Sequence, residues 1–316
     1  MAEARAQLAA VSVDLDPLAH YCHIHGLSPG LLSPEALHAV HSLALPRLRQ
    51  LFTACGIPAT LFAIGEEVER HPEAARALRE AHAAGHEIAN HSHRHDYALS
   101  RRSEAVIAAD LARAQEVLTR ATGKAPEGFR APGYTLSPSL YRAVEAAGFD
   151  YASSAFPAAP YWLGKAAVMG LLRLKGQASR AILDTPRVLA APRAPYFPDP
   201  AAPYRRGRGR VLELPVTVTP KLRFPVIGTF VATLPEPMVR RLVAACRDLR
   251  LFNLELHAVD VLDASDGLPE ALVRRQRDLS IPWALKAERL SAVIWQLARE
   301  RDVVTLGAAA GRFRMV

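Results

Sequence analysis

The sequence predicts a parallel α/β sheet or barrel. Short apolar runs alternate with longer segments whose apolar residues recur every three or four positions, which is the rhythm of strands followed by helices. The polar clusters fall where the apolar runs end, and α/β folds place their active sites at the carboxyl ends of parallel strands. The 316 residues suffice for one large domain or two ordinary ones.

Five strands are predicted in the amino-terminal half of the chain. Each is a short apolar run that stops at a glycine, a proline or a polar cluster: residues 8–13, 58–65, 87–90, 128–130 and 149–153. Helices are predicted between them at 38–55, 66–84, 103–122 and 137–148, from helical spacing or from capping signals at their ends. Gly56 is one such end signal, and Ser137 followed by Pro138 is the favoured order at a helix start.

Residues 157–210 interrupt this alternation. The apolar stretch 158–176 is predicted to form one or two helices, and six prolines from Pro186 to Pro203 predict an irregular excursion after it. The alternation then resumes, with strands predicted at 210–216, 252–257 and 303–306 and helices at about 237–249 and 283–301. We therefore interpret residues 1–316 as a single domain that carries an insertion at about 157–210.

The net charge of +8 suits three classes of anionic partner: nucleic acid, anionic lipid and phosphorylated substrates. A general arginine bias of the surface explains the charge equally well. Nucleic-acid binding is disfavoured, because the basic residues do not alternate with aromatic residues along one element as a stacking platform requires. One local cluster remains as a candidate phosphate contact: Arg205, Arg206, Arg208 and Arg210.

Cysteines and hydropathy narrow the class of protein. Three cysteines without a C-x-x-C pair argue against a disulfide framework and against a structural zinc knuckle. The first residues lack the basic segment and following apolar segment of a secretory signal. No apolar run reaches the roughly 18 residues of a membrane span. We therefore expect a cytoplasmic protein.

The segment 85–95 holds four histidines within ten residues and begins with a predicted strand. His91 and His95 are four positions apart, so one helical turn, or a tight turn after a strand, can direct both rings at one ion. Neutral imidazole and carboxylate together suit a divalent metal. The alternative is a solvated loop that is rich in histidine.

Asp14 and Asp16 follow the first predicted strand and lie two positions apart. In a regular strand both carboxylates would point to the same side. A divalent cation bound by one of them would relieve their repulsion, and the other could then act as a general base toward water. The alternative is a surface turn after the strand.

Two further polar positions follow predicted strands. Arg130 can pair with a carboxylate and keep it ionised, and Gly133 lets the backbone approach a ligand closely. His257 could be the general acid that protonates a leaving amine. The alternatives are a simple turn at 130–134 and a packed or capping histidine at 257.

Together these segments resemble the polysaccharide deacetylase family, also called carbohydrate esterase family 4, over about 11–156 and 212–306. Segment 11–16 is similar to its aspartate motif, 56–65 to its second strand, 85–95 to its histidine motif, 130–134 to its arginine-proline motif and 254–257 to its leucine-histidine motif. The two aspartates are adjacent in most members, whereas Leu15 separates them here, as in one branch of the family. This departure leaves the roles of Asp14 and Asp16 exchangeable.

The resemblance implies a distorted (β/α) barrel of about seven repeats and one divalent metal, usually Zn²⁺, although Co²⁺, Ni²⁺ and Fe²⁺ also suit the ligands. The implied metal ligands are Asp16, His91 and His95. The implied catalytic residues are Asp14 as the base, Arg130 as its partner and His257 as the acid. The implied substrate and oxyanion contacts are Pro132, Gly133 and Tyr134. His93 is not counted as a ligand, and His20, His23 and His25 are either a pocket wall or a chance cluster.

The resemblance further implies a hydrolase that removes an N-acyl group, most often N-acetyl, from an amino sugar or sugar conjugate. The missing export signal favours a small or lipid-linked substrate, met at the cytoplasmic face of a membrane. A sharper variant is deacetylation or deformylation of a polyprenyl-phosphate-linked amino sugar, bound with help from the arginine cluster and from an interfacial helix at 158–176. A buried cap helix is the alternative for that segment. The rival interpretation is a non-catalytic carbohydrate-binding barrel.

Overall fold

The computed structural model describes residues 7–174 and 182–315, and a curled sheet of parallel strands forms its centre. In chain order the strands are β1 (Leu8–Asp14), β2 (Thr60–Ala63), β3 (Glu87–Asn90), β4 (Gly128–Phe129), β5 (Tyr151–Ala152), β6 (Pro198–Asp199), β7 (Ala202–Arg206), β8 (Leu212–Glu213), β9 (Leu251–His257) and β10 (Asp302–Val303). Strands β6 and β7 form a separate antiparallel hairpin.

Seven of these strands form an incomplete barrel in the order β9–β1–β2–β3–β4–β5–β8. Strand β1 pairs along its whole length with β9, and its other edge pairs first with the short β10 and then with β2. Between β8 and β9, the backbone N–H of Thr217 donates to the carbonyl of Asn253 at 3.2 Å, and Ile227 bridges to Glu255. These contacts curl the two ends of the sheet toward each other. The predicted distorted barrel of about seven repeats is confirmed.

Helices connect most consecutive strands. They are α1 (Leu18–Ile24), α2 (Pro34–Ala39), α3 (Leu45–Cys55), α4 (Gly65–Arg70), α5 (Pro72–Ala83), α6 (Glu104–Thr122), α7 (Pro138–Ala146), α8 (Ala159–Leu174), α9 (Gly228–Thr233), α10 (Glu236–Ala244), α11 (Glu270–Arg275), α12 (Trp283–Glu300) and α13 (Leu306–Arg314). A π-helical turn, Val40–Ala44, joins α2 to α3.

Local signals set several of these boundaries. The predicted helix 66–84 is divided at His71, because the residue before Pro72 is forced into the extended region, with φ −125° and ψ 101°. Gly56 ends α3 in the left-handed region at φ 65°, as its position in the sequence predicts. The Ser137 hydroxyl accepts a hydrogen bond from the N–H of Leu140 and caps α7.

Three predicted segments differ in the structure. His20 and His23 are not in a loop, because 18–24 form helix α1, and His25 lies in the turn that follows this helix. The last predicted strand, 303–306, ends at Val303, since Thr305 caps helix α13 through the N–H of Ala308. The described part of the insertion contains α8 and the β6–β7 hairpin. Residues 175–181 of the insertion, which include Lys175, lie outside the described residues.

The barrel interior is partly polar. All seven residues of β1 are buried, as expected for a parallel strand that is covered on both faces. The Ser12 hydroxyl donates to the amide oxygen of Asn253 at 2.9 Å across the β1–β9 pair. The buried guanidinium of Arg130 lies against Ser12 as well, so polar groups run through the barrel up to its carboxyl edge.

Candidate active site and metal centre

The predicted site residues gather at the carboxyl edge of the sheet. Asp14 is the last residue of β1 and His257 the last residue of β9, and the two residues are register partners. His91 directly follows β3, and Arg130 directly follows β4. Parallel strands end at one common edge of the sheet. The fold therefore brings Asp14 and His257 together, although they lie 243 positions apart in the chain.

Asp16, His91 and His95 form a compact buried cluster. The Asp16 Oδ1 atom lies 3.1 Å from His95 Nε2 and 3.4 Å from His91 Nε2. The two Nε2 atoms are themselves 3.1 Å apart. Two ligand atoms that are each about 2.0–2.1 Å from a tetrahedral ion lie about 3.4 Å from each other. The three donor atoms therefore have the spacing of ligands to one cation.

Hydrogen bonding around the cluster leaves its inner atoms free for a cation. His91 Nδ1 lies 2.9 Å from the backbone carbonyl oxygen of Arg130. This contact places the ring proton on Nδ1 and leaves the unprotonated Nε2 to bind a cation. Among the described residues, Asp16 Oδ1 has no hydrogen-bond partner. A buried carboxylate oxygen without a partner costs free energy unless an ion binds it. The donor set thus fits a divalent metal.

A turn, and not a helix, gives His91 and His95 their common direction. Ser92 and His95 have positive φ values of 66° and 48°, which reverse the chain sharply after β3. The amide oxygen of Asn90 accepts from the N–H of Ser92 at 2.7 Å, and the Ser92 hydroxyl accepts from the N–H of His95 at 2.9 Å. The His20 ring stacks on His95 with centroids 4.4 Å apart.

Asp14 has a different partner from Asp16. Arg130 Nη1 donates to Asp14 Oδ1 at 2.5 Å, and both side chains are buried. Burial alone would raise the pKa of Asp14, but the positive charges of Arg130 and then of His91 and His257 outweigh burial and lower it. The Asp14 carboxylate is therefore held ionised beside the Asp16–His91–His95 cluster.

Arg130 is buried with its hydrogen-bonding groups in use. Its Nε donates to the carbonyl of Ser153, and Nη2 donates to the hydroxyls of Ser12 and Ser153. The guanidinium carbon lies 4.0 Å from the ring centre of Phe62. These contacts compensate for the loss of hydration, so an arginine can be stable here where an unpaired charge would not be.

A second ionic pair, between the partly buried His257 and the buried Glu255, lies next to Asp14. His257 Nδ1 is 2.9 Å from Glu255 Oε1. Burial lowers the pKa of His257, but Glu255, and to a lesser extent Asp14 and Asp16, raise it well above its ordinary value. The Tyr134 hydroxyl donates within this group, with Asp14 Oδ2 at 2.9 Å and Glu255 Oε1 at 3.0 Å. His257 Nε2 lies 3.2 Å from the same hydroxyl.

Glu255 is a site residue that the sequence reasoning missed. It lies two positions before His257 on β9, and residues at this spacing point to the same face of a strand. The same argument joined Asp14 to Asp16, so the signal was present in the sequence. The hydrophobic alternation of 251–257 hid it, because a glutamate between leucines also suits an exposed face.

The turn 132–134 positions Tyr134. Gly133 and Tyr134 both have positive φ, 63° and 62°. A Cβ atom on Gly133 would lie 2.8 Å from the ring of Tyr97, so the position excludes a side chain for steric as well as conformational reasons. Pro132 begins the turn and is buried. The strain of a tyrosine with positive φ occurs where its hydroxyl bridges the two ionic pairs.

A family model and a curated relative both match part of this chain. Residues 41–152 match the family model described as polysaccharide deacetylase, and this range contains His91, His95 and Arg130. Over this range the chain is similar to the polysaccharide deacetylases. The peptidoglycan deacetylase of Helicobacter pylori is 30% identical over 153 residues, which make up 46% of this chain and 48% of that protein. The chain thus spans about half the length of this curated relative.

Solved structures share the deacetylase fold. A protein of Mycobacterium smegmatis assigned to the polysaccharide deacetylases matches with a TM-score of 0.61 and 18% identity, over 100% of this chain and 92% of that chain. A protein of Pseudomonas aeruginosa with the same assignment matches with a TM-score of 0.58 and 19% identity, over 98% of this chain and 92% of that chain. At such identities the similarity shows the fold.

A cleft of about 440 Å³ opens onto the site. Asp14, Asp16, His91 and His257 form its floor, and Gly133 lies in its wall. Helix α8 covers one side with Tyr161, Lys165 and Met169, which are among the lining residues. The segment predicted to be an insertion therefore forms part of the cleft wall.

Helix α8 has a second, outward face that is also apolar. Leu163, Leu171 and Leu174 lie on it, and their exposed fractions are 60%, 51% and 88%. The helix contains no acidic residue. It is thus neither a fully buried cap nor a wholly solvent-facing helix. Among the described residues, no helix combines the length and apolarity that crossing a membrane requires.

Several predicted residues lie elsewhere. His93 points away from the cluster toward Glu69, with His93 Nε2 3.5 Å from Glu69 Oε2, so it is not a ligand in this geometry. His25 pairs with Gln276 at 2.8 Å. The arginine cluster at 205–210 precedes β8, and the Arg210 carbonyl accepts from Arg314. The Arg210 end of this cluster therefore lies at the amino edge of the sheet, opposite the cleft.

Proposed function

We propose that the protein is a metal-dependent hydrolase that removes an N-acyl group, most often N-acetyl, from an amino sugar or sugar conjugate. The observation that carries this proposal is the pairing Asp14–Arg130 and His257–Glu255 on either side of the Tyr134 hydroxyl. Amide hydrolysis needs one group that accepts a proton from water and another that gives a proton to the departing amine. The two ionic pairs meet these opposite needs.

Asp14 is the general base in this proposal. Arg130 binds its Oδ1 and keeps the carboxylate ionised, while Oδ2 faces Tyr134 and the cleft. The roles of the two aspartates are then no longer interchangeable. Asp16 faces the two histidines, and no hydrogen bond joins it to Arg130 among the described residues. We assign Asp14 to proton transfer and Asp16 to metal binding.

His257 is the general acid. Glu255 holds Nδ1 and stabilises the imidazolium, so a proton is available on Nε2 at the cleft. The raised pKa of His257 lets it stay protonated at neutral pH, and the amine that departs then takes this proton. Tyr134 positions the base and the acid relative to each other, because its hydroxyl lies within hydrogen-bond distance of both.

Asp16, His91 and His95 would hold the divalent cation, with Zn²⁺ favoured and Co²⁺, Ni²⁺ or Fe²⁺ also compatible. Such a cation supplies Lewis acidity toward an acyl oxygen and toward water. Pro132, Gly133 and Tyr134 stay our assignment for substrate and oxyanion contacts. Gly133 borders the cleft, and without a side chain it lets substrate approach the backbone closely.

An acylated amino sugar suits the cleft in size and lining. Its volume is in the range of small-molecule sites, about 300–1,000 Å³. Tyr97 and Tyr161 supply aromatic surface next to the polar floor. The match of residues 41–152 to the polysaccharide deacetylase model and the similarity to a peptidoglycan deacetylase support a carbohydrate substrate.

A lipid-linked substrate is the second candidate. The outward apolar face of α8 supports it, since the same helix forms a wall of the cleft and would place that cleft at a membrane surface. The substrate would then be a polyprenyl-phosphate-linked amino sugar that loses an acetyl or a formyl group, at the cytoplasmic face if the chain is not exported. Arg210 lies at the amino edge of the sheet, on the side opposite the cleft. We therefore expect the cleft wall, and not the arginine cluster, to contact the phosphate.

One experiment tests the proposal. Zinc is measured by elemental analysis in wild type, His91→Ala and the matched control His93→Ala, and acetate and formate release are assayed on soluble and lipid-linked acylated amino sugars. We expect His91→Ala to lose about one equivalent of zinc together with activity, and His93→Ala to keep both. A folded, zinc-supplied wild type that binds no metal and releases neither acid would instead support the non-catalytic carbohydrate-binding barrel.

A further inference from the structure

A second group of potential metal ligands lies outside the cleft. His38 is in α2, and His71 and Glu73 are at the start of α5. His38 Nδ1 lies 3.4 Å from Glu73 Oε1, and His71 Nδ1 lies 3.8 Å from the same oxygen. None of the three residues lines the cleft. The cluster is therefore separate from the site described above.

The spacing is that of ligands and not of hydrogen-bonded groups. Both separations exceed the usual N–H···O range of about 2.7–3.2 Å. They lie close to the roughly 3.4 Å expected between two ligands of a tetrahedral zinc ion. The rings of His38 and His71 meet edge to face with centroids 4.5 Å apart, and both direct Nδ1 at one carboxylate oxygen. A cation at this point would contact all three side chains.

His41 is an independent indication of a ligand in this region. It lies three positions after His38, in the π-helical turn that packs against α5. Its side chain is buried, and among the described residues neither ring nitrogen has a hydrogen-bond partner. Two unpaired buried nitrogens destabilise a fold, whereas an apolar side chain of similar size would not. π-helical turns also occur frequently at functional sites.

We propose that His38, His71 and Glu73 form a second divalent-metal site of the zinc class, with the buried imidazole of His41 three positions after His38. Two imidazoles and one carboxylate are a known zinc ligand set with an open position for water. The three side chains are between 29% and 42% exposed, so the ion can enter from solvent. Bound there, it would join α2 to the start of α5.

The expected consequence is that the bound ion stabilises the attachment of α2 to α5. A ligand that binds the folded state but not the unfolded chain raises the melting temperature by mass action. The site does not depend on the catalytic proposal, because its occupancy is measured without substrate. Failure of the hydrolase assignment would therefore leave it intact, and the reverse also holds.

The test is zinc stoichiometry and thermal unfolding of the full chain without an affinity tag. After chelator treatment, the protein is dialysed against Zn²⁺ and analysed for bound metal. We expect about two equivalents in wild type, about one in His91→Ala, about one in His38→Ala/His71→Ala and none in the combined triple variant. His82→Ala, which alters a half-buried histidine outside both clusters, should keep both ions.

Zinc should raise the melting temperature of His91→Ala but not that of the triple variant. The milder Glu73→Gln exchange keeps the shape of the side chain and should weaken the zinc affinity of the second site at least about tenfold. Circular dichroism confirms that each variant is folded. One zinc in wild type and none in folded His91→Ala would overturn the proposal.

Discussion

Asp14 and His257 are register partners on neighbouring strands, and the hydroxyl of Tyr134 lies within hydrogen-bond distance of both. One of these residues has a carboxylate with a lowered pKa and the other an imidazole with a raised pKa. The opposite shifts have the same origin, since each group lies beside a buried partner of opposite charge, Arg130 and Glu255 respectively. A base and an acid are thereby held side by side at one cleft.

The partner of Asp14 should matter for stability as well as for catalysis. Arg130→Met leaves the Asp14 carboxylate buried without its counter-charge, and breaking a buried pair in this way costs about 3–5 kcal/mol. We therefore expect a large loss of the free energy of unfolding in urea, together with loss of hydrolysis. Asp14→Asn/Arg130→Met removes both charges and should recover part of that stability without activity. Equal stability of the single and double variants would refute the coupling.

Glu255 should control the pH range of the reaction. Glu255→Gln removes the negative charge that raises the pKa of His257, so this pKa falls toward its ordinary value. The acid must be protonated to act, and we expect the alkaline limb of the pH profile of kcat/KM to move down by about one pH unit or more. An unchanged alkaline limb would show that His257 is not the group that titrates there.

The same pair predicts a pH dependence of stability. A group whose pKa is raised on folding stabilises the fold fully below its unfolded pKa, about 6.5 for histidine. The stabilisation is lost as pH rises through the folded value. Urea unfolding of wild type and Glu255→Gln should therefore differ most at acidic pH and converge at alkaline pH. A difference that grows as pH rises would contradict the assignment.

The sequence predicted the residues at the carboxyl edge of the barrel better than the helix that covers the cleft. Strand ends could be predicted because apolar runs stop where polar residues begin, so Asp14, His91 and His257 were placed correctly at the carboxyl edge. The position of α8 over the cleft could not be predicted. The apolar pattern of a helix in a long predicted insertion does not indicate which elements the helix packs against. The Asp14–Arg130 pair joins residues 116 apart, so residue spacing alone could not predict it, and only the family resemblance implied it.

Gly133 should tolerate no side chain, for two separable reasons. Gly133→Ala places a methyl group 2.8 Å from the Tyr97 ring and forces an alanine to φ 63°. Gly56→Ala is the matched control, since Gly56 has φ 65° but no atom within 4 Å of the added Cβ. We expect both exchanges to cost about 1–2 kcal/mol for the backbone conformation, and only Gly133→Ala to lose activity. Similar activity in both variants would remove Gly133 from the site.

Lys165 should select substrates that carry a negative charge. Its ammonium group lies 4.0 Å from the position of a Cβ on Gly133, and no hydrogen bond joins it to another described residue. Burial lowers its pKa to about 8, so it remains largely charged at neutral pH in the cleft wall. A charge-assisted hydrogen bond contributes about 1.5–3 kcal/mol, so Lys165→Met should lower kcat/KM about 10- to 100-fold for substrates with a carboxylate or phosphate near the amide.

Neutral N-acetylated oligosaccharides provide the control for Lys165→Met. They have no group for the ammonium to bind, so their kcat/KM should change less than about threefold, which corresponds to well under 1 kcal/mol. The loss of kcat/KM is then compared between a phosphorylated and a carboxylated sugar. This comparison shows whether the natural negative charge is a lipid-linked phosphate or the carboxylate of a sugar acid. Equal losses on neutral and anionic substrates would mean that Lys165 supports the shape of α8 and does not recognise charge.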